Sequence, residues 1–254
     1  MTSPILPGAE PWSHVGDTDH GAVVLHGFTG NPSSMRGIAT ALAAKGFHIE
    51  MPLLPGHGTT IDDMLPTRWA DWAGEAEAAY QRLSQRVANV VVVGLSMGGA
   101  LTIRVGADHA DIVGLVCINP VTQPQIAEII EMLRGLADGG TPVLPGIDSD
   151  IADPDAKQNA YDGTPIEPLL SLLLDGIEPL SREYAEMRMP LLLMNSPHDH
   201  VVEPVQAEYL ADRYGGPVER IALERSYHVA TVDYDKELIV ESTAEFASRV
   251  VAPS

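Results

Sequence analysis

The sequence predicts an α/β protein: a mostly parallel β-sheet with helices on both faces and a small helical insertion. Three observations predict it. Over residues 22–118, short apolar β-rich runs alternate with longer amphipathic ones, the pattern of consecutive βα units. The alternation lapses over residues 119–189 into a stretch with eight prolines, then returns at Leu191. Finally, a serine bracketed by glycines stands where a strand runs into a helix, the carboxyl end at which open parallel sheets keep their sites.

Each element has a local reason. Ala22–His26 is a continuous β-rich run followed by a glycine-rich turn. Ser34–Lys45 reads as a helix, with Gly46 as its stop. Phe47–Met51 is a strand ended by Pro52. Arg68–Arg86 is a helix because Trp69, Trp72, Ala73, Ala76, Ala79, Tyr80 and Leu83 recur at helical spacing. Val90–Leu95 is a strand, Met97–Ala107 a helix and Ile112–Ile118 a strand. The proline-rich stretch holds helices near 125–136 and 166–174, and its sequence suggests no strand. A loop that long without structure is improbable, so it is expected to pack as a cap. Leu191–Asn195 and Val218–Leu223 are strands, and Glu203–Tyr214 and Lys236–Val250 are helices. The domain reading is therefore a core of residues 1–118 and 190–254, with a cap (lid) of residues 119–189.

Composition narrows the function. The 254 residues carry 15 Lys and Arg against 35 Asp and Glu, a formal charge of −20. That excludes nucleic acid and an electrostatic hold on anionic lipid, both of which require Lys and Arg. The single cysteine, Cys117, excludes an internal disulfide and a cysteine-cluster zinc site, and reads as a small buried hydrophobe. The N-terminus has neither a basic nor an apolar signal region, and no apolar run is long enough to span a bilayer. The expectation is a cytoplasmic location without stable membrane insertion.

The chemistry concentrates in Gly94-Leu95-Ser96-Met97-Gly98. A strand before and a helix after make this G-x-S-x-G a nucleophile elbow. The sharp turn needs glycines where side chains would strike the neighbouring strand and helix. The helix N-terminus beneath Ser96 favours developing negative charge. A serine hydroxyl is a weak nucleophile and needs a base. His228 follows the last strand and opens at the same end of the sheet. Asp199, after the strand Leu191–Asn195, is the acid that orients it. Asp233, five residues past His228, is expected to cap the last helix or brace the histidine loop. His26 and His57 each precede a glycine and are expected to fix turns. His198 and His200 form a His-x-His pair, but no third metal ligand is evident, so neither a metal nor a cofactor is expected. The amides of Met97 and Phe28 are the expected oxyanion donors, each worth about 3 kcal/mol in a transition state.

With these residues in place, the sequence resembles the carboxylesterase and bacterial monoacylglycerol lipase group of α/β-hydrolases. The resemblance rests on His26-Gly27-Phe28-Thr29-Gly30, Pro52-Leu53-Leu54-Pro55-Gly56-His57-Gly58, Gly94–Gly99, Asp199-His200-Val201-Val202 and Ser226–Thr231, which together span most of the chain. The last two, with Asp153-Pro154-Asp155 and Ala160-Tyr161-Asp162, are similar to the bacterial lipases more narrowly. It implies the α/β-hydrolase fold, a cap over a Ser96–Asp199–His228 triad and a narrow acyl tunnel. It also implies a glycerol end held by cap residues, with Ile147 as an apolar and Gln158 as a polar substrate contact. The bacterial lipases are expected to carry a carboxylate where Gln158 stands, a departure that bears on how strongly glycerol is held.

The expected activity is hydrolysis of monoacylglycerols to fatty acid and glycerol through an acyl-enzyme. The alternatives are a general short-to-medium-chain carboxylesterase, a thioesterase or carbon–carbon hydrolase, and a ligand-binding protein without turnover. The partner is a small-molecule lipid ester, with any contact to lipid aggregates transient and through the cap. The cap stretch carries four basic and thirteen acidic side chains, so nearly half of the net charge sits there. Its field is expected to favour a neutral ester over an anion and to help expel the fatty-acid product.

Overall fold

The computed structural model describes residues 3–146 and 150–252. The chain opens with strand β1 (Trp12–His14) and β2 (His20–Leu25), then a 3-10 turn (Pro32–Met35) that feeds α1 (Arg36–Ala44). β3 (His48–Met51), α2 (Ile61–Met64), α3 (Trp69–Ser84), β4 (Asn89–Leu95), α4 (Met97–Asp108) and β5 (Gly114–Ile118) follow. After β5 come α5 (Ala127–Asp138), β6 (Val143–Pro145), β7 (Gly163–Pro165) and α6 (Ile166–Ser171). α6 runs through a π-helical turn (Leu172–Ile177) into α7 (Glu178–Leu180). β8 (Leu191–Asn195), α8 (Val205–Arg213), β9 (Val218–Ala222) and α9 (Lys236–Val250) complete the fold.

Seven strands form one sheet in the order β1-β3-β2-β4-β5-β8-β9. β1 pairs antiparallel with β3, and every other pairing in this sheet is parallel. The predicted α/β class and the six predicted strands are therefore present. The edge strand β1 lies outside the βα alternation that revealed the others.

Two-residue periodicity divides the sheet into two cores. Val23, Leu25, Val92, Leu115, Cys117, Leu191 and Leu193 pack on one face with α3, α4 and α8. The intervening residues Ala22, Val24, Val91, Val93, Val116, Ile118, Leu192 and Met194 pack on the other face with α1 and α9. Both faces being covered is why these strands read as unbroken apolar runs. β2 leads to α1 on one face, whereas its neighbour β4 leads to α4 on the other. The loops after these adjacent strands therefore diverge and open a crevice at the carboxyl end of the sheet. Gly46, at φ +86°, ends α1: its N–H donates to Ala43 O and that of Phe47 to Leu42 O.

Between β5 and β8 the chain leaves the sheet. α5 to α7 add Ile130, Leu133, Ile166, Leu170, Leu172, Leu173 and Ile177 to the α3–α4 core. The sequence suggested no strand here, and the structure corrects that: β6 and β7 pair antiparallel, Val143 opposite Pro165 and Pro145 opposite Gly163. At three residues each, with proline in both, these strands are too short to show a period and carry residues that normally argue against strand.

Candidate active site

Ser96 joins β4 to α4 at φ +57°, ψ −118°, a region that a non-glycine residue occupies only when its surroundings force it. The surroundings do so at two glycines. A Cβ on Gly94 would land on the Gly98 carbonyl, and one on Gly98 would land on the Leu25 carbonyl of β2. The elbow is thus pressed between its own helix and the neighbouring strand, and Ser96 stands at its apex, 7% exposed.

Asp199 and His228 come from the loops after β8 and β9. His228 Nδ1 lies 2.7 Å from Asp199 Oδ2, and their side chains are 10% and 1% exposed. The other oxygen, Asp199 Oδ1, accepts the N–H groups of Val201 and Val202, each at 2.8 Å. The carboxylate is therefore held from both sides. With Nδ1 engaged by the carboxylate, Nε2 is the ring nitrogen left for a second partner. Ser96 and His228 border one cavity, but among the described residues Ser96 Oγ makes no hydrogen bond. Such contacts are commonly loose before substrate binds.

Phe28 and Met97 flank the serine. Met97 is the first residue of α4, whose leading amides have no partner inside the helix. The Phe28 amide lies in the turn closed by Gly30 N–H on Gly27 O, and it too makes no hydrogen bond among the described residues. Gly27 abuts the serine: a Cβ there would stand 3.2 Å from Ser96 Cβ and 3.8 Å from Oγ. Thr29, next in the loop, has φ +60°, a strained value for a β-branched residue. Phe28 thus borders the same cavity as Ser96, and Met97 follows the serine at the start of α4.

His26 and His57 brace this loop from behind. His26 Nδ1 meets Gly27 O at 3.0 Å, and its Nε2 accepts the Leu54 N–H at 3.1 Å. His57 Nδ1 donates to Pro55 O at 3.0 Å, the carbonyl that also takes Trp72 Nε1 at 3.1 Å. Burial lowers His26 to about 3, helped by the neighbouring His57, and burial lowers His57 to about 4. Both stay neutral and serve as turn-fixing groups, as their positions before glycine suggested.

The cavity measures about 540 Å³, within the range of small-molecule sites. Ser96, His228, Gly27 and Phe28 border it on the sheet side. Ile129 and Leu133 of α5, Leu144 of β6, Leu169 of α6 and Leu172 and Leu173 of the π turn give it apolar walls. Gln125, Gln158, Tyr161, Asp162 and Thr164 add polar groups. Gln158 thus reaches the cavity, its amide nitrogen packed against Gly30. Ile147 lies outside the described residues.

Several organising residues carry no motif. Asn119, at φ +41°, ends β5. Its Oδ1 accepts the Ser196 N–H at 2.7 Å, and its Nδ2 donates to His228 O at 2.8 Å, Tyr227 O at 3.3 Å and Ser196 Oγ at 3.1 Å. Asp233 is fully buried and accepts N–H groups from Tyr227, Tyr234, Ala152 and Asp153. It therefore braces the histidine loop. Asp235, not Asp233, is the residue that precedes α9, and it accepts the Arg225 N–H. Tyr161 N–H donates to Thr29 O at 3.1 Å and Asn31 Nδ2 to Asn159 O, tying the inserted segment to the loop of Phe28. A local signal existed only for Asp233, through its closeness to His228. Among the described residues, no group of three or more His, Cys, Asp or Glu could hold a metal ion.

The acidic segment is not a free field at every position. Asp150 is occupied by three donors, and Asp153 Oδ1 accepts the Asp155 N–H at 3.0 Å. Asp148 lies outside the described residues.

A family model described as the alpha/beta hydrolase family matches residues 22–241. The chain is 38% identical over 249 residues to the thermostable monoacylglycerol lipase of Bacillus sp. (strain H-257), covering 97% of each chain. It is 23% identical over 235 residues to a carboxylesterase of Bacillus subtilis (strain 168), covering 91% of this chain and 94% of that one. A solved structure from work on the metagenome-derived lipolytic enzymes LipS and LipT superposes with a TM-score of 0.89. It is 37% identical and covers 97% of this chain and 100% of that one. The Paleococcus ferrophilus monoacylglycerol lipase superposes with a TM-score of 0.73 at 17% identity, covering 95% and 99%, a likeness of fold.

Proposed function

The chain belongs to the alpha/beta hydrolase family and is a carboxylic ester hydrolase, and on that premise we propose that its substrate is a monoacylglycerol. One observation carries the proposal. A strained serine and a carboxylate-held histidine border the same cavity, whose other walls are apolar with a few polar groups. Residues 119–189 act as the cap that supplies those walls.

In this reading Ser96 Oγ bonds to the ester carbonyl carbon while His228 Nε2 takes its proton. The amides of Phe28 and Met97 hold the oxyanion. The carbonyl re-forms, the bond to glycerol breaks, and His228 returns the proton to the departing oxygen. Water, deprotonated by His228, then attacks the acyl-enzyme and releases the fatty acid and Ser96. Asp199 keeps Nδ1 protonated and stabilises the imidazolium. The acyl chain lies among Leu133, Leu169, Leu172 and Leu173. Glycerol lies at the polar groups, Gln158 among them, and the Ile147 segment is read as an apolar contact on the strength of the family resemblance.

Hydrolysis of monoacylglycerols of graded chain length, beside di- and triacylglycerols and p-nitrophenyl esters, tests the reading. Monoacylglycerols with medium or long chains are expected to give the highest kcat/KM, and Ser96→Ala to abolish turnover and labelling by a fluorophosphonate. A preference for acetyl over lauroyl esters would favour a general carboxylesterase.

A further inference from the structure

The inserted segment reaches from the cavity wall to the loops that carry the histidine and its carboxylate, and it does so through Asp150. This carboxylate is only 8% exposed. Its Oδ2 accepts the backbone N–H of His228 at 3.1 Å and that of His200 at 3.0 Å. Its Oδ1 pairs with His200 Nδ1 at 2.8 Å. Its own carbonyl accepts the Val229 N–H at 3.1 Å. One side chain outside both loops thus brackets the residue after Asp199 and the backbone of His228 itself.

We propose that Asp150 is a positioning residue for the proton-transferring histidine: it fixes the backbone from which His228 projects and couples it to the Asp199 loop. The proposal rests on the reading of Ser96, His228 and Asp199 as the triad. An imidazole held only at Nδ1 can still swing about that hydrogen bond. Anchoring its backbone N–H, while Asn119 holds its carbonyl, fixes the residue on both sides of Cα, so Nε2 is aimed at the serine. A largely buried carboxylate is costly unless it is hydrogen-bonded, and here three contacts engage both of its oxygens. Asp233 backs the bracket by holding Ala152 and Asp153 on one side and Tyr227 on the other. The cap in this arrangement is part of what assembles the triad, since it contributes one strut between the two catalytic loops beside the one Asn119 makes from the end of β5. A displacement of about 1 Å at the reacting groups is enough to cost roughly a hundredfold in rate.

The test uses the full chain as wild type, Asp150→Ala, Asp150→Asn and His200→Ala. It reads kcat and KM on a p-nitrophenyl ester, the rate of Ser96 labelling by a fluorophosphonate, and Tm. Asp150→Ala is expected to lower kcat about ten- to a hundredfold and slow labelling alike, with little change in KM. Asp150→Asn keeps one oxygen for the two backbone N–H groups and an amide that can donate to His200 Nδ1, so it should recover most of the loss. His200→Ala keeps the bond to His228 and should lose less than Asp150→Ala. Wild-type kcat and labelling in Asp150→Ala, or an asparagine as poor as the alanine, overturns the proposal. Should Asp150→Ala not fold, Asp150→Ser takes its place, its hydroxyl too short to reach both loops, and wild-type kcat there overturns it equally. A wild-type protein that neither turns over nor labels overturns the triad reading, and this proposal with it. An active wild type beside an unaffected Asp150 variant overturns this proposal alone.

Discussion

Asn119 Oδ1 accepts the backbone N–H of Ser196 at 2.7 Å, while the same amide donates through Nδ2 to the carbonyl of His228 at 2.8 Å. The end of β5 thereby stitches together the two loops that carry Asp199 and His228. Asn119→Leu removes both functions from a site that is 2% exposed and leaves the Ser196 N–H and the His228 carbonyl unpaired. A buried group left unpaired costs about 1–3 kcal/mol. The expected outcome is a Tm lowered by several degrees and a kcat lowered more than tenfold. Calorimetry and ester kinetics on the same preparation check it.

Asp233 is the larger structural stake. Its carboxylate receives four backbone N–H groups, two from the inserted segment and two from the neighbourhood of His228. Asp233→Ala should cost roughly 2–4 kcal/mol of stability. Residues 150–153 should also gain hydrogen exchange ahead of global unfolding. Urea titration measures the first and exchange mass spectrometry the second. Unchanged protection at 150–153 would mean that other contacts hold the segment.

The cavity walls set chain length. Leu172 and Leu173 are 2% and 6% exposed and face the cavity from the π turn. Leu172→Trp adds volume where the acyl chain is read to lie, so the longest chain hydrolysed efficiently should shorten. The ratio of kcat/KM for octanoyl over palmitoyl monoacylglycerol should rise. A ratio that does not move would place the acyl chain elsewhere.

Acid stability should carry the signature of two buried neutral histidines. In the unfolded chain His26 and His57 titrate near 6.5, whereas burial lowers them to about 3 and about 4 in the native protein. Below pH 6.5 the unfolded state therefore binds protons that the native state refuses, and stability falls as pH falls. The loss from His57 levels off near pH 4 and that from His26 near pH 3. Each histidine contributes a slope of about 1.4 kcal/mol per pH unit over its window. His57→Gln should remove about one proton's worth of that slope between pH 6 and 4. Urea unfolding across that range measures it, and an unaltered slope would show that His57 does not titrate in this way.

Much of this protein was legible along the chain. Strands buried on both faces must be apolar throughout, which made Val90–Leu95 and Leu191–Asn195 visible. The elbow was legible because steric crowding at Gly94 and Gly98 admits only glycine, a demand written in five consecutive residues. Asp199 and His228 were placed by chain order and sheet end, since parallel strands put every following loop at the same edge.

Tertiary structure alone decided how those loops are held. Asn119 and Asp150 act largely through hydrogen bonds to distant backbone N–H and C=O groups, which every residue possesses and which leave no mark at the partner's position, whereas Asp233 was legible only through its closeness to His228. The β6–β7 hairpin escaped notice for a related reason, its strands being too short for a period and proline-bearing. Sequence by itself determined which fold forms and which three side chains end at one edge of its sheet, because periodicity and sterics are local. The bracing of those side chains by the inserted segment belongs to the folded chain, because it depends on separations in space that no local pattern encodes.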